Sequence, residues 1–451
     1  MTRRVSLWCL LALCALVTSR PAAAQGYGVY EQGACAMGRA GAAVASPCED
    51  GSAIFFNPAA IALQPDGNRV SAGGTLVGPR GDFTSPGGRT TGTMVKNWLP
   101  VPAAYYTKSL GDRLGGGVGV FAPFGLTTDW PVDFAGRFVA YKTVLQSIYF
   151  QPTLAYKVND AVAIGGGLDV IYSTLELNQR VDLATQQLAP GTTFAQMGVP
   201  LGTDFANVRI SGRDVSFAGH VGVLVTASQK VSFGARYLSR STIKVDHLDL
   251  ESDQIPTGLR TPVPLPGIPA GTPLDVVVAS QFAPGARLGD QQAATRLTVP
   301  DQIVAGVAVM PIAPLKLLAD YQFTAWSVFD NLTFTARRGL DEVIVKNYRN
   351  TSGVRVGADY AATGRVTLRA GALTHQAAAP DGSVTPDLPE GARVEYAAGL
   401  GARVSRGLVI DVAYQHIAQE DRSGRVLLRG PNTGTYAFHA NLFGATATVR
   451  F

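Results

Sequence analysis

The final ten residues, Leu442 to Phe451, constrain the fold more than any other stretch. Phe443, Ala445, Ala447, Val449 and Phe451 share one face of a strand, and Leu442, Gly444, Thr446, Thr448 and Arg450 share the other. That is the two-residue period of a β-strand. The same dyad recurs upstream. Val231, Phe233, Ala235 and Tyr237 oppose Ser232, Gly234 and Arg236, and Leu315, Leu317, Ala319, Tyr321 and Phe323 oppose Lys316, Asp320 and Gln322. Val354, Val356, Ala358 and Tyr360 oppose Arg355, Gly357 and Asp359; Val366, Leu368, Ala370 and Ala372 oppose Thr367, Arg369 and Gly371; and Leu408, Ile410, Val412 and Tyr414 oppose Asp411 and Gln415. Weaker strand patterns begin near Arg69, Trp98, Leu114, Thr143, Val162, Val215, Leu297, Val343 and Val394. The total is about fourteen.

The chain is 46% apolar with mean hydropathy +0.14, yet no apolar run approaches the ~20 residues of a membrane helix. A closed barrel satisfies every backbone group while presenting apolar side chains to lipid. The expected fold is all-β: a transmembrane antiparallel β-barrel of about fourteen strands, with the apolar set on lipid and the polar set in the lumen.

Residues 1–24 read as a signal peptide. Arg3 and Arg4 precede the apolar run Leu7 to Val17, and Ala22-Ala23-Ala24 ends before Gln25. Leu13 and Trp8 precede Cys14 and Cys9, which disfavours a lipoprotein signal. Without the leader's three arginines the net charge falls from +5 to +2. No basic stripe with interleaved aromatics argues for nucleic acid. Signal and barrel together place the chain in the outer membrane of a Gram-negative bacterium. Cys35 and Cys48 remain after cleavage; in an oxidising periplasm they can close a loop worth on the order of 3 kcal/mol, the alternative being two buried free thiols.

Between leader and barrel, Gly26 to Leu63 is rich in Gly and Ala and shows no strand alternation. Asn57 is a good helix N-cap, Pro58 suits the first helical position, and Ala59 to Leu63 can form a short apolar turn. Residues 25–66 are therefore expected to form a helical plug, with the barrel over 67–451.

The motifs Glu31-Gln32-Gly33, Met37-Gly38-Arg39-Ala40-Gly41, Ser52-Ala53 and Asn57-Pro58-Ala59 occur in order, followed by Pro123-Phe124-Gly125-Leu126 with Ala135-Gly136-Arg137, Pro152 to Lys157, Asp320 to Ser327, and Arg369-Ala370-Gly371. Each is weak alone. As an ordered set over the mature chain, they resemble the outer-membrane hydrophobic-compound transporters of the FadL/TodX family. The resemblance implies a fourteen-stranded barrel with an N-terminal hatch that includes Gly26, Asn57, Pro58 and Ala59. It also implies an apolar collecting groove outside, a lumen pocket, and lateral release through a gap at an inward-kinked third strand after the hatch rearranges.

Phe121-Ala122-Pro123-Phe124-Gly125 is the candidate for that gap. Pro123 cannot donate to a ladder and Gly125 weakens one; an ordinary strand end is the alternative. Two long connections, 178–213 and 246–296, carry the apolar residues Leu188, Phe194, Met197, Leu201, Leu250, Ile255 and Leu259. Loops of that length are normally functional or disordered. These line a groove in the family-like reading, or pack the loops together as a lid. If the cargo has a carboxylate, the inward-facing Arg236, Lys316, Arg355 and Arg369 are its candidate partners, although Asp320, Asp359 and Asp411 share that face and can neutralise them.

The expected cargo is a long-chain fatty acid, with an aromatic hydrocarbon as the alternative. Outer-membrane lipid and lipopolysaccharide surround the barrel, and the terminal Phe451 resembles the signal read by the barrel assembly machinery. A lumen and exit within one chain favour a monomer. A lipid hydrolase is disfavoured: the five histidines form no H-E-x-x-H, no G-x-S-x-G occurs, and His220 beside Ser216 is a pairing chance produces. A porin-like or purely structural barrel is disfavoured by the plug and the apolar loops. Gly115-Gly116-Gly117 and Gly165-Gly166-Gly167 sit in strands without a following Lys-Ser/Thr, so close approach of the plug explains them better than phosphate binding. No cofactor or metal is expected.

Overall fold

A computed structural model describes residues 26–264, 267–424 and 434–451; the signal sequence expected over 1–24 lies outside them. Fourteen antiparallel strands close into a barrel. They are β1 (Asn68–Thr84), β2 (Leu99–Ser109), β3 (Leu114–Asp129), β4 (Lys142–Lys157), β5 (Val162–Asp182), β6 (Asp204–Ser228) and β7 (Val231–Leu238, continuing as Ser241–Gln254). Then follow β8 (Gln291–Val299 and Gln302–Ile312), β9 (Leu315–Thr324 and Asn331–Ala336), β10 (Glu342–Val345 and Thr351–Ala361), β11 (Val366–His375), β12 (Arg393–Arg403), β13 (Leu408–Gln419) and β14 (Gly434–Arg450). The ring closes where β1 pairs with β14, from Arg69↔Arg450 to Thr84↔Thr435. Among the described residues no helix is long and apolar enough to cross a membrane.

The alternation sets the faces. Val354, Val356 and Tyr360 are exposed on the outer wall while Arg355 and Asp359 are buried within, and Phe443 and Val449 are exposed while Thr446 and Thr448 are buried. Four strands, β7 to β10, break at one level. Pro300 cannot extend the β8 ladder, and the neighbouring Asp301 accepts from the Arg240 backbone N–H at 3.0 Å and the Tyr237 hydroxyl at 2.8 Å. The pattern near Val343 is thus the outer piece of β10 rather than a separate strand.

Connections 178–213 and 246–296 are not loops throughout. Residues 178–182 pair with 204–209 and residues 210–213 with 174–177, while 246–254 and 291–296 extend β7 and β8. In these extensions the polarity of the faces inverts. Leu175, Leu177, Val208 and Ile210 are buried inward, while Arg209 pairs outside with Glu176 at 3.5 Å and Glu251 at 3.7 Å. Above the bilayer the outer face meets water and the inner face packs against the loops, so apolar residues turn in.

Residues 26–63 lie inside the barrel and are almost wholly buried. They comprise a helical turn α1 (Ala34–Met37), a second, α2 (Ala53–Phe56), and a 3-10 turn (Pro58–Leu63) capped by Asn57, whose side chain accepts from the Ala59 N–H at 3.2 Å. The wall makes room with glycine: a Cβ on Gly115 would lie 2.6 Å from the Ile61 carbonyl oxygen, and one on Gly165 2.6 Å from the Pro58 carbonyl carbon.

Candidate functional site

The wall is incomplete between β2 and β3. Their ladder runs from Ser109↔Gly115 to Ala104↔Val120 and stops, leaving Leu99 to Ala103 paired with β1 alone. Against β4, the register of β3 shifts between Phe121 and Phe124. There β3 bends inward and pairs with the N-terminal segment: Val29 N–H donates to the Pro123 carbonyl at 2.8 Å and Gly125 N–H to the Tyr27 carbonyl at 3.0 Å. Gln32 Nε2 adds a bond to the Ala122 carbonyl at 2.9 Å. Residues 27–32 thus bond the part of β3 that β2 does not reach. Pro100 and Pro102 on β2 were not singled out from the sequence, although two prolines spaced by two in a strand signal an edge that does not donate.

A cavity of about 520 Å³ occupies the break. It touches Ile148, 41% exposed on the outer wall, and Leu442, 1% exposed inside. Its walls are mostly apolar, from Val77, Leu99, Phe124, Leu126, Leu145, Leu388 and Phe438. Of the residues expected at the exit, Phe124 and Gly125 line it. Phe121 and Pro123 do not; the Phe121 ring packs on Phe55 at 5.4 Å and Tyr105 at 5.7 Å.

The lumen end of the cavity is polar. Glu390 accepts backbone N–H groups from Gly26 at 3.1 Å, Ala378 at 3.0 Å and Ala379 at 2.8 Å. Arg393 Nη2 donates to the Gly26 carbonyl at 3.1 Å, and Glu31 and Glu395 complete the charged lining. Sequence reasoning named Glu31 only as part of a motif and missed the other three: Glu390 lies in a connection, and nothing local to Arg393 and Glu395 shows what they face.

None of Arg236, Lys316, Arg355 and Arg369 lines this cavity. Arg236 donates to the Phe55 carbonyl at 3.0 Å and Gln302 at 2.9 Å, with its guanidinium 4.3 Å from the Phe55 ring centre. Lys316 Nζ donates to Ser46 Oγ at 2.8 Å. Arg355 bonds Gln322 and sits 4.5 Å from the Tyr30 ring centre, and Arg369 pairs with Asp411 at 2.7 Å. They brace the wall and the N-terminal segment, as do Arg39 with Asp359, and Asp320 with the backbone N–H groups of Ala43 at 2.7 Å and Val44 at 2.9 Å. Asn57 Nδ2 donates to the Val44 carbonyl at 2.8 Å and to the Val223 carbonyl in β6 at 2.9 Å. A disulfide joins Cys35 to Cys48, Cα atoms 6.2 Å apart.

The expected groove residues divide. Phe194 and Leu250 are buried, and Leu188 and Leu259 pack partly buried against the same apolar cluster. Met197 and Ile255 are half-buried, and Leu201 stands 77% exposed, apart from the rest. Leu250 alone of the seven lines a second cavity of about 280 Å³ at the outer mouth. His220 does not meet Ser216. Its Nε2 is 2.9 Å from Thr153 Oγ1 and its Nδ1 2.6 Å from Asp169, whereas Ser216 bonds Ser241 at 3.0 Å.

Residues 14–451 match the family described as outer membrane protein transport protein (OMPP1/FadL/TodX). The chain is 22% identical to a long-chain fatty acid transport protein of Salmonella typhi, covering 98% of each chain. In fold it is similar to a Pseudomonas aeruginosa FadL homologue, with TM-score 0.80, 21% identity, and 95% of this chain and 100% of that one covered. It is also similar to the Ralstonia pickettii toluene transporter TbuX, with TM-score 0.66, 18% identity, and 94% and 100% covered.

Proposed function

Because the chain belongs to the outer membrane protein transport protein family (OMPP1/FadL/TodX) and is an outer-membrane transporter of hydrophobic compounds, we propose that its cargo leaves sideways, through the break between β2 and β3. The carrying observation is the continuity of one mostly apolar cavity from Leu442 in the core to Ile148 on the outer wall. An apolar molecule gains roughly 25 cal/mol for each Å² it removes from water. Such a cavity offers that gain in the lumen and again in the lipid outside, so passage needs no energy source.

Residues 25–66 act as the hatch in this reading. The bonds from Tyr27 and Val29 to the inward bend of β3 are few, and their release would widen the opening without dismantling the barrel. The outer loops carrying Leu188, Phe194, Met197, Leu201, Leu250, Ile255 and Leu259 collect cargo at the mouth. A long-chain fatty acid and an aromatic hydrocarbon are the two cargoes that relatives' names support. The chain closes its own barrel, which supports a monomer in the outer membrane, and Phe451 at the end of β14 is the element offered to the assembly machinery.

Uptake of labelled oleate and labelled toluene by a Gram-negative strain lacking its own fatty-acid channel tests the reading. Uptake of either, above cells carrying an empty vector, supports a lipophile channel and identifies the class. Ion conductance without uptake of either would make this a porin.

A further inference from the structure

Glu31, Glu390, Arg393 and Glu395 are the charged residues among those lining the cavity at the break, three carboxylates against one guanidinium. Glu31 and Glu395 accept from a single donor: Gln415 Nε2 is 2.7 Å from Glu31 Oε1 and also donates to Glu395 Oε2. Two carboxylates sharing one amide stand close, and like charges so placed away from water repel strongly. Arg393 is already flanked, with its Nε 3.9 Å from Glu395 Oε1 and its Nη2 on the Gly26 carbonyl. Its Nε has no hydrogen-bond partner among the described residues.

The other inward cations do not redress this balance. Arg39 is held by Asp359 and Arg369 by Asp411, while Arg236 and Arg355, bonded to neutral groups, lie outside the cavity lining. An arriving carboxylate, which can only accept hydrogen bonds, would add negative charge to a lining that already holds three carboxylates and one guanidinium. A hydroxyl fits both halves of the site. Its oxygen can accept from the Arg393 guanidinium while its proton is donated to a glutamate oxygen.

We infer that the cavity takes a lipophile with an uncharged hydroxyl head, a long-chain alcohol, and rejects the ionised carboxylate, with Glu31 and Glu395 setting the preference. The inference rests on the cavity being the transport site.

Equilibrium binding of radiolabelled tetradecanol and tetradecanoate to the mature protein in nonionic detergent tests it, with partition into empty micelles subtracted. At about pH 9 the acid is ionised. The alcohol is expected to bind at least about tenfold more tightly, a difference of about 1.4 kcal/mol. Glu31→Gln with Glu395→Gln is expected to narrow that ratio by strengthening tetradecanoate. If the double variant fails to fold, the wild-type ratio decides alone. Tetradecanoate binding as tightly as the alcohol overturns the inference and leaves the cavity as a transport site. Binding of neither overturns both.

Discussion

The backbone N–H of Val29 donates to the carbonyl of Pro123 across 2.8 Å, so the N-terminal segment bonds β3 just beyond the point where its ladder with β2 ends. This one bond joins a segment inside the barrel to the defect in its wall. Any movement of residues 27–29 is therefore felt at the break.

Restoring a regular strand should close the route. Pro123→Val returns an N–H, and at Gly125 an added Cβ meets only Leu145 O at 3.6 Å and Val29 Cγ2 at 3.9 Å, ordinary contacts. The double variant Pro123→Val, Gly125→Val is expected to fold, judged by heat-modifiable mobility. Its uptake is expected to fall by about tenfold or more, an added barrier of about 1.4 kcal/mol. Undiminished uptake in a folded variant would mean that cargo leaves elsewhere.

Asn57→Ala removes the bonds to Val44, Val223 and Ala59 together. The two carbonyls and the N–H lie in a buried setting, so the loss is expected to cost about 1–3 kcal/mol for each group left unsatisfied. Hydrogen exchange should speed up over residues 44–61 while the strand amides stay protected. Unchanged exchange in that segment would show that Asn57 is not an anchor.

Arg39 and Asp359 form a buried pair between the N-terminal segment and β10. Removing one partner strands the other charge, at a typical cost of about 3–5 kcal/mol. Asp359→Leu alone is therefore expected to expose the N-terminal segment to protease. Asp359→Leu with Arg39→Met should restore much of its protection, since replacing both charges by apolar groups is often nearly neutral. Equal sensitivity of the single and double variants would contradict this.

Asp50, in the N-terminal segment, has its carboxyl pushed above the ordinary carboxylate range by burial, with Ser52 as its hydrogen-bond donor. The sign follows from the raised value. Inside the barrel this group binds its proton more tightly than in the unfolded chain. Its contribution is therefore fully present below the ordinary carboxylate pKa and is lost as pH rises through the raised folded one. Protection of residues 50–56 from hydrogen exchange, corrected for the intrinsic pH dependence of exchange, should weaken over that window, and Asp50→Asn should flatten the dependence. A wild-type profile that strengthens with rising pH would reverse the assignment.

The strand periodicity was readable because it is local. Val354, Arg355 and Val356 declare opposite faces whatever they meet, and the wall they build follows from the length of lipid they must cross. The rule failed above the bilayer. There Val208 and Ile210 turn inward and Arg209 outward, because water rather than lipid lies outside, and 178–213 therefore looked like loop. The register shift between Phe121 and Phe124 falls on a stretch whose proline announces a missing donor.

What the sequence by itself determined was the all-β barrel, its about fourteen strands, which side chains of the membrane-spanning stretches face inward, and a capped turn at Asn57. Only the tertiary structure decided which inward charges meet. Arg236, Lys316, Arg355 and Arg369 share a parity, yet each is tied to the wall or the N-terminal segment, while Glu31, Glu390, Arg393 and Glu395 come together at the cavity. Parity is fixed by the backbone of one strand. Partnership depends on strand register around the whole ring and on where a separate segment is seated, and those are relations between residues hundreds of positions apart.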